Sequence, residues 1–124
     1  MTTPLHLLPK VRSDQIMASA AGQPCALRIA SFVPGHRCSG TNTTIGAHLP
    51  VMGKGTSTKV TDLAVVYCCF NCHAILDGAD GGRQKYVLEN FPAAVVERML
   101  NALVETQARL IEQEILIVKN GVLV

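Results

Sequence analysis

The stretch Cys69-Phe70-Asn71-Cys72-His73, with Asp77 four residues after the histidine, constrains this chain more than any other. Two cysteines separated by two residues place their thiolates on one tight turn, within reach of a single tetrahedral ion. Alone they make half a site. Cys25 and Cys38 are the natural second half, because a hairpin between them can bring both sulfurs together. A four-cysteine structural zinc is therefore expected. The alternative is that several of the five cysteines are small buried apolar residues. Cys68 fits that alternative best, since it adjoins Cys69 and points the other way in an extended segment. His36 is a lesser substitute for Cys38.

An odd cysteine count disfavours a fully paired disulfide framework. The opening Met1 to Lys10 lacks the charged region and long apolar run of a secretory signal. No apolar segment is long enough to span a membrane. The expected location is a reducing cytoplasm, where thiols hold metal.

At 124 residues the chain is expected to be a single domain, residues 1–124, with residues 1–12 an irregular arm broken by Pro4 and Pro9. A net charge of +2 implies no partner by itself. Its distribution says more: Lys54 and Lys59 flank a Gly/Thr/Ser-rich loop without acids, and Arg28, His36 and Arg37 add basic charge upstream. Such loops suit phosphate contact, although a solvated surface is the plainer reading. Aromatic residues are only 4% and tryptophan is absent, which argues against stacking on single-stranded bases.

Ser13 caps a short helix over 15–21, ended by Gly22 and Pro24. Residues 26–33 alternate loosely and predict a strand, 43–49 a second, and 63–67 a buried apolar third entering the cysteine turn. A helix starts near Asn71, carries His73 and Asp77, and stops at Gly78, Gly81 and Gly82. Asn90 and Pro92 open a longer helix whose apolar stripe is Val96, Met99, Leu100, Leu103, Leu110 and Ile111. That stripe is either core or the surface of a homodimer. Residues 115–124, broken at Asn120-Gly121, predict a terminal strand or hairpin.

His73 and Asp77, one helical turn apart, present an imidazole and a carboxylate side by side, a pair able to bind one divalent cation. Equally, His73 could cap or pack and Asp77 be plain surface. His48, at the end of a strand, suits a general base acting on water, against the plainer reading of a satisfied core histidine. Asp62 either orients His48 by accepting an imidazole N–H or serves as a turn residue after Thr61.

The order Pro24-Cys25-x-Leu27-Arg28-Ile29, Cys38-Ser39-Gly40 and Ala47-His48 resembles the HNH-type (ββα-metal) endonucleases. With Gly53-x-Gly55-Thr56-x-Thr58-Lys59-x-x-Asp62-Leu63 and Cys69-x2-Cys72-His73-x3-Asp77, it is most similar to the small, prophage-encoded YbcO-like nucleases. The resemblance covers residues 13–118. It implies a small α+β fold: a ββα-metal, treble-clef-like core braced by a zinc knuckle, with flanking N- and C-terminal helices. It further implies His48 as general base, His73 and Asp77 as ligands of a catalytic Mg2+, Mn2+ or Zn2+, and Asp62 in the place of the motif's middle asparagine. Ala47 departs from the pattern, standing where many members carry a further acidic or histidine ligand.

The resulting expectation is a metal-dependent endonuclease that hydrolyses DNA phosphodiesters in phage recombination or DNA processing. Cys25, Cys38, Cys69 and Cys72 would hold structural Zn2+, and Arg28, Lys54 and Lys59 would steer the DNA backbone. The rival is a non-catalytic zinc module that binds DNA or a protein.

Overall fold

The polypeptide organises around one short antiparallel hairpin and the helix that follows it. The computed structural model describes residues 2–51 and 60–124. Helix α1 spans Asp14–Ala18, strand β1 Ile45–His48, strand β2 Val65–Cys68, and helix α2 Phe70–Asp77. Helices α3, Gly81–Asn90, and α4, Pro92–Glu112, complete the described elements, with single 3-10 turns between them. The result is a small α+β fold with a two-stranded sheet.

The strands pair with Ile45 opposite Cys68 and His48 opposite Val65. Every residue of β2 is buried, so its apolar run Val65-Val66-Tyr67 is core on both faces. A two-stranded sheet leaves β2 with an open edge, which two other segments close. Ala26 donates its backbone N–H to the Tyr67 carbonyl at 2.8 Å, and the Tyr67 N–H reaches Thr106 Oγ1 on α4 at 3.1 Å. Thr106 is itself fully buried, so its hydroxyl satisfies a backbone donor that would otherwise be orphaned. The Tyr67 hydroxyl lies 2.7 Å from Ser19 Oγ and accepts from Gln113 Nε2, tying α1 and the end of α4 to the sheet. Around this line pack Leu27, Ile29, Ile75, Val87 and Val95. Each such side chain contributes about 1.5–3 kcal/mol by leaving water.

Several expectations change. Residues 26–33 are not a strand. The backbone turns at Arg28, whose φ of 52° is left-handed, and a 3-10 turn follows at Ala30–Phe32. The turn brings the Arg28 N–H onto the Cys25 sulfur, an interaction an extended chain cannot make. Gly78, at φ 85°, does end α2, but Gly81 and Gly82 open α3, whose N-cap Asp80 accepts from the Arg83 N–H. Asn90 ends α3 rather than capping α4; Pro92 is the first residue of α4, as its missing N–H favours. The α4 stripe holds in part: Leu110 is buried and Met99 and Leu103 pack on the core, but Val95, Ala102 and Thr106 are buried too, and Val96 and Leu100 are exposed. Residues 115–124 form no strand. Ile115 and Leu116 pack near Ile16 and Leu110, and a turn closes from the Gly121 N–H to the Val118 carbonyl.

Candidate metal centre and hydrolytic site

Three segments that are distant in sequence deliver four sulfurs to one point. Cys25 enters before the Arg28 turn, Cys38 lies in the loop after the 3-10 turn, and Cys69 and Cys72 bracket the start of α2. The four sulfur atoms lie within 4.8 Å of one another. A tetrahedron with zinc–sulfur bonds of about 2.3 Å has edges of about 3.8 Å. Cys38 Sγ and Cys72 Sγ are 3.7 Å apart. Backbone N–H groups surround the sulfurs: Ala30 N donates to Cys72 Sγ and Cys72 N to Cys69 Sγ, each at 3.4 Å. Such donors stabilise thiolates.

The electrostatics also suit a cation. Hydrogen bonds from Cys68 and Cys72 hold the Cys25 thiol far below its ordinary range. The bond to the Cys25 sulfur, then burial, pushes Cys72 far up, and burial with the charges of Cys25 and Cys69 pushes Cys38 up to about 12. Packed this closely, the thiols oppose one another's ionisation, and a divalent cation removes that opposition. The donor set therefore fits a bound divalent metal such as zinc. Cys68 is the buried neighbour whose thiol hydrogen-bonds the Cys25 sulfur. His36 is not among the four.

Helix α2 begins at this cluster. Its N-cap is Cys69, and its first N–H groups are taken by side chains from the segment before β1: Phe70 N by Thr43 Oγ1 and Asn71 N by Ser39 Oγ, both at 3.1 Å. These bonds fix the rotation of the helix. Cys72 and Ile75 face the core, and Phe70, His73 and Asp77 lie on the opposite side. His73 Nε2 and Asp77 Oδ2 are 3.4 Å apart, with about a third of each side chain exposed. Two ligand atoms each about 2.1 Å from one ion sit about 3.0–3.4 Å apart, depending on geometry, so the pair needs little movement to chelate. The other Asp77 oxygen accepts from the Ala79 N–H at 2.8 Å, which fixes the carboxylate plane.

His48 closes β1. Its Nε2 is 2.9 Å from Asp62 Oδ1. Asp62 is almost fully buried and holds other partners too: Arg12 Nη1 reaches Oδ1 at 3.3 Å, and Ser13 N reaches Oδ2 at 2.7 Å. Burial alone raises the Asp62 pKa, but the Ser13 N–H, the His48 imidazole and the Arg12 guanidinium outweigh it and hold the carboxyl below its ordinary value. The backbone N–H of Asp62 also donates to the Val11 carbonyl, so residues 11–13 clamp onto it at both ends. Arg12 and Ser13 escaped sequence reasoning as partners of Asp62 because their contacts span about fifty positions. The segment after His48 runs toward α2: Pro50 lines a cleft of about 200 Å³ together with Ile75 and Leu76, the residues just before Asp77.

The basic residues are less convergent. Arg28 pairs with Glu105 on α4 at 3.0 Å. Lys54 and Lys59 lie outside the described residues. Among the described residues no helix is long and apolar enough to cross a membrane.

A family model described as putative nuclease YbcO matches residues 14–113, from the first residue of α1 to the C-cap of α4. No curated protein and no solved structure matches the chain significantly. The chain belongs to the YbcO family.

Proposed function

With that membership as the premise, we propose that the chain is an HNH-type, metal-dependent endonuclease that hydrolyses DNA phosphodiesters. The observation that carries the reading is a pair of imidazole–carboxylate units, His48 at the end of β1 with Asp62 just before β2, and His73 with Asp77 on α2. The segment β1–β2–α2 corresponds in this reading to a ββα-metal core, in a single domain over residues 13–118 with residues 1–12 as its arm. Cys25, Cys38, Cys69 and Cys72 hold a structural zinc.

His73 and Asp77 bind a magnesium, manganese or zinc ion, which when bound supplies charge stabilisation at the phosphate and the leaving oxygen. His48 takes the proton from the attacking water, and Asp62 fixes its ring orientation and favours the imidazolium that results. Asp62 suits this task because it stays ionised at neutral pH and is itself held by Arg12 and Ser13. With Ala47 in place of another ligand, an ion held by His73 and Asp77 would depend more on water and DNA phosphate. Arg28, Lys54 and Lys59 supply backbone contacts, Arg28 in competition with Glu105. A place in phage DNA recombination or processing, in the cytoplasm, goes with this reading.

The test is cleavage of duplex, nicked and branched DNA with added magnesium, manganese or zinc, run beside His48→Ala. Cutting by the wild type and its loss in the variant support the reading. DNA binding without cutting under any metal overturns it in favour of a non-catalytic zinc module.

A further inference from the structure

Five aromatic side chains are available, and four are used inside the protein. Tyr67 is fully buried. Phe32 and Phe91 stack at 5.0 Å, with the Arg98 guanidinium 5.1 Å from the Phe32 ring centre. Tyr86 packs on Phe91. Phe70 is the one aromatic side chain among the described residues that stands in solvent, 65% exposed and stacked on no other ring.

Its position is not arbitrary. Phe70, His73 and Asp77 stand at i, i+3 and i+7 on α2, within an arc of about 60°, opposite the buried Cys72 and Ile75. The Phe70 backbone N–H is fixed on Thr43 Oγ1, and the next residue is anchored twice, through Ser39 Oγ and through Asn71 Nδ2 donating to the Arg37 carbonyl. A large apolar ring is thus held on a rigid helix turn, in water, on the face that carries the imidazole–carboxylate pair. Three residues of helix separate the two backbone positions, Phe70 and His73, by only about 4.5 Å along the axis, so the ring and the imidazole are neighbours on that face.

We propose that Phe70 is a nucleobase-contacting residue: its ring stacks on an unpaired or unstacked base next to the phosphate presented to His73 and Asp77. The preferred substrate is then DNA with a locally disrupted base stack, such as a bulge, flap or junction, where a base is already free to meet the ring. This inference rests on the nuclease reading for the identity of the polymer. It also revises the compositional argument against stacking: a low aromatic content leaves room for one exposed ring at a chosen place.

The test reads binding without cutting. The zinc-loaded full-length chain, with no magnesium or manganese added, is titrated into a paired duplex and into the same duplex with one bulged 2-aminopurine. The wild type should prefer the bulged DNA and quench the 2-aminopurine. Phe70→Ala and Phe70→Leu should lose about 5- to 100-fold in affinity for the bulged DNA and abolish the quench; Phe70→Trp should retain both. Zinc content verifies that each variant folds. Preference retained by Phe70→Leu would overturn the inference, since stacking needs a ring. So would unchanged DNA affinity in Phe70→Ala, including a case where that variant only alters the oligomeric state. A Phe70-dependent preference in a protein that never cuts DNA sustains this inference while the nuclease reading fails. Cutting and binding that ignore Phe70 do the reverse.

Discussion

The two faces of helix α2 differ in almost every physical respect. On the inner face, Cys72 and its three sulfur partners are clustered and surrounded by backbone donors. On the outer face, His73 and Asp77 are about one-third exposed, with Nε2 and Oδ2 3.4 Å apart. Four converging thiols describe a closed site, which contributes to folding. In the proposed reading His73 and Asp77 would form an open site, whose remaining positions water or phosphate would fill. Both faces belong to one eight-residue helix, Phe70–Asp77, whose N-cap is the cluster residue Cys69.

The strongest way to break this comparison is to remove an inner ligand. Cys69 is both a member of the sulfur cluster and the N-cap of α2. Cys69→Ser should lose zinc and cooperative folding together, read by atomic emission and circular dichroism. A folded variant with full zinc content would remove the structural role. Next in size is His48→Ala, which should keep zinc and fold but lower DNA cleavage by about 10²–10⁴-fold. A wild-type rate in that variant would exclude the base. Asp77→Ala should weaken binding of an added divalent ion at least about tenfold, since even outer-shell changes at metal sites cost 10–100-fold. Calorimetry on zinc-loaded protein measures this, and equal affinities would take Asp77 out of the site.

Two smaller effects sharpen the contrast. The folded Asp62 carboxyl titrates below its ordinary value, so between the folded and unfolded pKa values the unfolded chain binds more protons. Its contribution to stability is therefore fully present above the unfolded value near 4 and is lost as pH falls through the folded value. Asp62→Asn should cost about 1–3 kcal/mol at pH 7, and the gap should close in acid. Urea melts from pH 7 to 3 check this; a constant gap would mean that ionisation of Asp62 is not what stabilises the fold. Finally, Cys68→Ser should retain zinc, because Cys68 touches the Cys25 sulfur without joining the four. Loss of metal there would show that the ligand set is wrongly chosen.

The chemistry-bearing residues were more legible than the elements between them. Cys-x2-Cys spacing and the i, i+4 relation of His73 and Asp77 are local geometry, so sequence displays them directly. The partnership of His48 with Asp62 was readable as one of two options, but its support from Arg12 and Ser13 is a long-range contact with no local mark. Helix α3 was hidden by Gly81 and Gly82: glycine lowers helix propensity, yet the Asp80 cap and the burial of Val87 suffice. The α4 stripe was legible at Met99, Leu103 and Leu110 but not at the small Ala102 and the polar Thr106, which an apolar pattern passes over. Val96 and Leu100 of that stripe are left exposed, and sedimentation decides whether they form a homodimer surface.

Native mass spectrometry of the zinc-loaded chain during a manganese titration tests the two-faced helix most directly. The account predicts one zinc per chain that persists throughout, plus one manganese that appears in the wild type and is missing in Asp77→Ala. A single metal per chain at every manganese concentration, or manganese that enters only as zinc leaves, would contradict it.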